Sequence, residues 1–101
     1  MKNYLIIIRY KVPIETIDKF TVAHRAYLKT QYDAKRLLVS GPFVPRTAGA
    51  LWAQAPDRTV IDQMIEKDPF KIENLADYEV FEYSPTMHAP VLDDLFASQI
   101  A

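Results

Sequence analysis

Residues Asn3–Tyr10 (NYLIIIRY) are dense in β-branched and aromatic side chains, and their apolar character does not alternate. A run of this kind suits a strand buried on both faces and central in its sheet. Val12-Pro13 ends it, and Pro13 stands where a helix can begin. From Ile14 to about Tyr32 a stripe recurs at Ile17, Phe20, Ala23/His24, Tyr27/Leu28 and Gln31/Tyr32, with Glu15, Asp18, Lys19, Arg25 and Lys29 on the other side. That is the period of an amphipathic helix. Leu37–Val44 (LLVSGPFV) predicts a second strand, in which Gly41-Pro42 marks a bulge or a sheet edge. Pro45–Gly49 has turn composition, and Ala50–Ala55 is the returning strand of a hairpin. Pro56-Asp57 opens a second helix, Arg58–Lys67, striped by Val60, Ile61, Met64 and Ile65. Asp68-Pro69 stops it, since proline has no N–H and restricts the residue before it. A helical turn around Lys71–Leu75 and a fourth strand, Asp77–Tyr83, follow.

The order is therefore β-α-β-β-α-β, the ferredoxin-like α+β arrangement: a four-stranded antiparallel sheet with two helices on one face. Residues 1–84 make this domain. Residues 85–101 form a C-terminal extension, in which Val91, Leu92, Leu95, Phe96 and Ile100 outline a short helix over Pro90–Ile100 that packs on the domain or on a dimer partner. Strand one is apolar on both faces, through Tyr4, Ile6 and Ile8 against Leu5 and Ile7. Strand two offers Leu37, Val39 and Phe43 on one side and Leu38 and Val44 on the other. A sheet face of that kind left bare is a large apolar patch, and the economical solution is a homodimer that packs sheet on sheet.

Composition narrows the chemistry. Twelve Lys+Arg against 13 Asp+Glu leave a net charge of −1, which gives no footprint for nucleic-acid phosphates. The chain has no Cys, and so no disulfide, thiolate nucleophile or Cys-ligated zinc. No phosphate loop, metal-ligand spacing or nucleophile elbow is present, so no cofactor and no metal is expected. The longest N-terminal apolar run, Tyr4–Ile8, is too short for a membrane span or a signal-peptide core, which makes a cytoplasmic protein without membrane contact the expectation.

Only two histidines exist, so imidazole chemistry has two addresses. His24 lies on the apolar stripe of the first helix, four residues after Phe20 and four before Leu28. It is either a core or interface histidine satisfied by one hydrogen bond, or a general acid/base that needs a carboxylate to fix its tautomer. Asp68 is the candidate carboxylate, although Asp before Pro also serves as an ordinary helix terminator. Gly41, one of only two glycines, sits after Ser40 within a strand, as a bulge or a close backbone approach lining a pocket. Arg9 and Tyr10, at the end of strand one, either face an anionic substrate or are solvated. His88 falls in a surface segment.

Three motifs in order carry a resemblance: His24 in AHRAYL, Arg36-Leu37-Leu38-Val39-Ser40-Gly41-Pro42 (similar to a GRLL-x-x-GP motif), and Asp68-Pro69-Phe70 (similar to DPF/DPY). Over roughly residues 3–84 the chain resembles the YciI-like (YCII-related) proteins of the ferredoxin-like, dimeric α/β-barrel superfamily. The resemblance implies a catalytic His24–Asp68 pair in a pocket lined by Ser40 and Gly41. It implies a cofactor-free lyase- or isomerase-like enzyme acting on a small cyclic or unsaturated metabolite. The alternative is a non-catalytic dimeric module that binds a small ligand or assists a partner enzyme. Many members have Arg three residues before the histidine, where this chain has Thr21. An anionic substrate would then be met by Arg25 or Arg9.

Overall fold

In the computed structural model, which describes residues 1–96, the isoleucine-rich strand β1 (Lys2–Tyr10) lies between β3 (Ala48–Ala55) and β4 (Ala76–Tyr83). β2 (Leu37–Pro42) is the outer strand beside β3, so the antiparallel sheet runs β2-β3-β1-β4. This is the ferredoxin-like α+β fold that the alternation of elements predicts. The side chains that alternate onto one face of β1, Tyr4, Ile6 and Ile8, are all at most 2% exposed. They form the core with Leu51 and Ala53 of β3 and with residues of α1 (Ile14–Asp33) and α2 (Arg58–Glu66), chiefly Ile17, Leu28, Ile61 and Met64. Fully burying one such side chain is worth about 1.5–3 kcal/mol, so this face holds the fold together.

Local chemistry sets the boundaries. Asp57 caps α2, its carboxylate accepting from the backbone N–H groups of Thr59 (2.9 Å) and Val60 (3.4 Å). Asp68-Pro69 follows the end of α2 and also starts α3 (Pro69–Ile72), with Asp68 as its cap and proline in the first helical position, where no N–H is needed. The helical turn thus begins at Pro69, ahead of the expected Lys71.

Strand two departs from expectation. Leu37 pairs with Ala53 and Val39 with Trp52, so two steps on β2 oppose one on β3 and Leu38 is the extra residue of a bulge. The irregularity lies upstream of Gly41-Pro42, where it was expected. It also reassigns the faces: Leu37 is buried toward the helices, whereas Val39 is exposed on the opposite side. Phe43 and Val44 fall beyond the strand, Val44 being 95% exposed. β3 begins two residues earlier than expected, at Ala48, because Phe43 N–H reaches back to its carbonyl at 2.8 Å.

The helix-free face is mixed. Leu5 and Ile7 are half-buried, and Val39, Phe81 and Tyr83 are exposed. At one end of this face Arg9 pairs with Glu79 and Lys11 with Asp77. At the other end the chain covers itself. A 3-10 turn (Pro90–Leu92) and α4 (Asp93–Phe96) bring Phe96 against Trp52 at a ring separation of 5.7 Å. Beside them Asn3 is buried, its side-chain oxygen accepting from Trp52 Nε1 (2.9 Å) and Gln54 Nε2 (3.0 Å). Ile100, assigned to the expected helix, lies outside the described residues. Among the described residues no helix is long and apolar enough to cross a membrane.

Candidate functional site

The helical stripe turns His24 toward the junction between α2 and α3, where Asp68 stands as the α3 cap. His24 Nδ1 lies 2.8 Å from Asp68 Oδ1, across 44 residues of sequence. The same oxygen accepts the Phe70 backbone N–H at 3.0 Å. Asp68 is 2% exposed, and the Phe70 ring stacks on the imidazole at 3.9 Å with the planes 4° apart. The histidine is therefore held from the edge by a carboxylate and from the face by an aromatic ring. An ionised carboxylate only accepts hydrogen bonds, so Nδ1 carries a proton and the neutral ring presents its lone pair at Nε2. Nε2 makes no hydrogen bond among the described residues.

Two tyrosines stand behind the pair. Tyr27 donates its hydroxyl to the Met64 carbonyl at 2.6 Å. Its pKa is raised by burial first and by the Asp68 charge second, the Arg36 charge opposing. The Tyr78 hydroxyl is buried without a well-formed hydrogen bond. Burial first, and then the charge and hydrogen-bonding pull of Asp68, push its pKa far above the ordinary phenol range. Both phenols stay neutral at physiological pH.

In front of the pair lies a cavity of about 180 Å³. The helices supply His24, Ile17, Leu28 and Phe70 to its wall; the sheet supplies Ile8, Tyr10, Gly49 and Leu51. Ser40, Gly41 and Pro42 also line it, as do Thr21, Arg25 and Arg46. Asp68 stands behind His24 rather than in the lining.

The predicted site residues divide accordingly. His24 and Asp68 meet, and Ser40, Gly41 and Arg25 are at the cavity. The Ser40 hydroxyl is already engaged by the Tyr32 hydroxyl. Gly41 makes no close approach: a Cβ there would meet nothing within 4 Å. Gly49 is the closer-packed glycine, since a Cβ on it would make ordinary van der Waals contact with the Gly41 carbonyl oxygen at 3.4 Å and the Tyr10 hydroxyl at 3.5 Å. Arg9 does not reach the site. It pairs with Ala48 and Asp77 in the sheet register, points with Leu5 and Ile7 to the helix-free face, and is bound to Glu79. Thr21 lines the cavity but donates its hydroxyl back to the Ile17 carbonyl at 3.1 Å.

Arg46 is the residue that sequence reasoning missed. It projects from the β2–β3 connection, where turn composition gave no cue, and its Nη2 donates to Asp18 at 2.7 Å. Its pKa is raised mainly by that hydrogen bond. Among the described residues no three His, Cys, Asp or Glu side chains gather as metal ligands would.

Comparison with solved structures finds a 5-chloro-2-hydroxyhydroquinone dehydrochlorinase from Burkholderia phenoliruptrix, in complex with 2,5-dihydroxybenzoquinone. It is 22% identical, with a TM-score of 0.68 over 80% of this chain and 93% of that one, which establishes likeness of fold. No curated protein matches the chain. The YCII-related domain matches residues 2–84. The chain belongs to the YCII-related family.

Proposed function

We propose that this protein is an acid–base enzyme acting on a small cyclic or unsaturated metabolite, in a lyase- or isomerase-like reaction driven by His24 and Asp68. The observation that carries this reading is the 2.8 Å contact between His24 Nδ1 and the buried Asp68 carboxylate beside a cavity of about 180 Å³. An apolar cavity of about 150 Å³ holds benzene, so the space suits one ring with small substituents. With Nδ1 engaged, Nε2 takes a proton from a substrate C–H or O–H group. The imidazolium, stabilised by Asp68, then returns that proton to another substrate atom or to a departing group. The chain's own side chains suffice for these transfers. The similarity in fold to a dehydrochlorinase that binds a hydroxyquinone supports a ring-shaped substrate.

The test is a panel of hydroxyquinones, unsaturated lactones and hydroxylated aromatic acids, followed by NMR in heavy water for turnover or C–H exchange. Activity in the native protein that disappears in His24→Ala is expected. Ligands that bind without reaction or exchange would instead indicate a binding or accessory module.

The proposed assembly is a homodimer packed through the helix-free sheet faces. The exposure of Val39, Phe81 and Tyr83 on that face supports it, and the chain's own Phe96 segment would border the interface. Light scattering that shows a monomer at micromolar concentration contradicts this assembly.

A further inference from the structure

The cavity lining is asymmetric in charge. It includes two arginines, Arg25 and Arg46, and no carboxylate. Asp18 balances Arg46 at 2.7 Å, but that contact engages only Nη2, and a guanidinium has five donors. Arg25 is exposed and has no ion-pair partner among the described residues. Arg25 is thus the charged group of the lining that has no ion-pair partner among the described residues. Tyr10, Arg25 and Arg46 line the same cavity, and burial, the largest influence on the Tyr10 hydroxyl, raises its pKa, with Arg46 and Arg25 opposing and Asp18 adding to the rise. Because burial prevails, Tyr10 remains a neutral hydroxyl that can donate.

We infer that Arg25, Arg46 and Tyr10 form an anion subsite in the cavity that His24 lines, so that the cavity selects ring-sized ligands bearing an ionised oxygen, a carboxylate or an acidic enol. The apolar wall of Ile17, Leu28 and Phe70 takes the ring, and the arginines take the charge. A ligand anion shares Arg46 with Asp18 and takes Arg25 outright. This inference rests on the cavity being a small-molecule site, and not on the proton-transfer step.

Calorimetric titration of the full chain with benzoate, 2,5-dihydroxybenzoquinone and the neutral benzamide tests it. Benzoate and the hydroxyquinone, which is anionic at neutral pH, are expected to bind at least tenfold tighter than benzamide. Arg46→Gln and Arg25→Gln are each expected to weaken the anions about ten- to hundredfold and to leave benzamide unchanged. Added salt should weaken only the anions. Equal affinity for benzoate and benzamide, binding of neither anion, or anion affinity that survives both arginine substitutions overturns the inference. Anion binding retained in His24→Ala, together with no exchange activity in the native protein, would refute the enzymatic reading and leave the subsite standing. Circular dichroism of each variant separates lost binding from lost fold.

Discussion

The same three residue types meet twice in this molecule. His24, Asp68 and Phe70 form one group, and His88, Asp93 and Phe96 the other, with nearly equal His–Asp distances of 2.8 and 3.0 Å. The environments differ. Asp68 is sealed in the core and lies 44 residues from its histidine, whereas the Asp93 side chain is 69% exposed and only five residues away. Phe70 lies flat on His24, while Phe96 is tilted 39° from His88 at 4.8 Å. The His24 group faces a cavity between sheet and helices. The His88 group fastens the end of the chain to the helix-free face. The contact distance therefore does not set the two groups apart, and neither does a neighbouring cavity, since His88 and Phe96 line one as well; the burial of the carboxylate and the long-range closure do.

Four substitution pairs break or sharpen this contrast. The largest separation is expected in turnover: His24→Ala should lower it by about 10²–10⁴, the usual contribution of a general acid/base, and His88→Ala should leave it unchanged in steady-state assays. Next is packing, read by denaturant unfolding. Phe70→Ala should cost about 3–5 kcal/mol, and Phe96→Ala, on a single terminal turn, about 1–2 kcal/mol. Third, Asp68→Ala removes both the α3 cap and the partner of His24, at about 2–3 kcal/mol. Asp93→Ala should stay within about 0.5 kcal/mol, as exposed pairs do. Nitrogen-15 NMR should also show the Nδ1–H form of His24 losing its preference in Asp68→Asn but not in Asp93→Asn.

The smallest expected effect concerns Tyr78, behind the His24 group. Its hydroxyl has no hydrogen bond of ordinary geometry and feels Asp68 only as a weak pull, so Tyr78→Phe should change stability by less than about 0.5 kcal/mol at neutral pH. The pH dependence differs. With the folded pKa raised, the hydroxyl remains protonated in the native state while the unfolded chain ionises above about pH 10. Stability is therefore intact below that pH and falls as pH rises, by up to about 1.4 kcal/mol per unit for this group. Stability curves from pH 9 to 11 should be flatter in Tyr78→Phe than in the native chain.

The elements themselves were legible because β1 is a dense β-branched and aromatic run, because α1 and α2 each carry a helical period, and because Asp57 marks a helix start and Asp68-Pro69 a helix stop in a local, chemical way. His24 and Asp68 were legible from the residues as separate candidates, and only the family resemblance paired them. Their contact follows from the packing of α1 against α3, which no local pattern encodes. The misplacement of Arg9 was avoidable in principle: strand alternation puts it on the side of Leu5 and Ile7, and Tyr10 on the side of the core. Arg46 offered no such cue. Its position depends on where the β2–β3 connection ends and on the distant Asp18, so neither periodicity nor turn composition could locate it.

The bulge at Leu38 has a consequence for how such a site tolerates changes in chain length. Downstream of it, Ser40 and Pro42 share the register of the core-facing Leu51 and Gly49, whereas Gly41 stands opposite Ala50. Losing one residue here would remove the bulge and restore unbroken alternation, because Leu37 and Val39 already pair with the consecutive Ala53 and Trp52. Ser40 would stay opposite Leu51, and the cavity would keep its side chains. The edge strand can thus give up a residue upstream of the cavity without changing what lines it. Deletion of Leu38, expected to leave ligand preference unaltered, measures how well the bulge insulates the site.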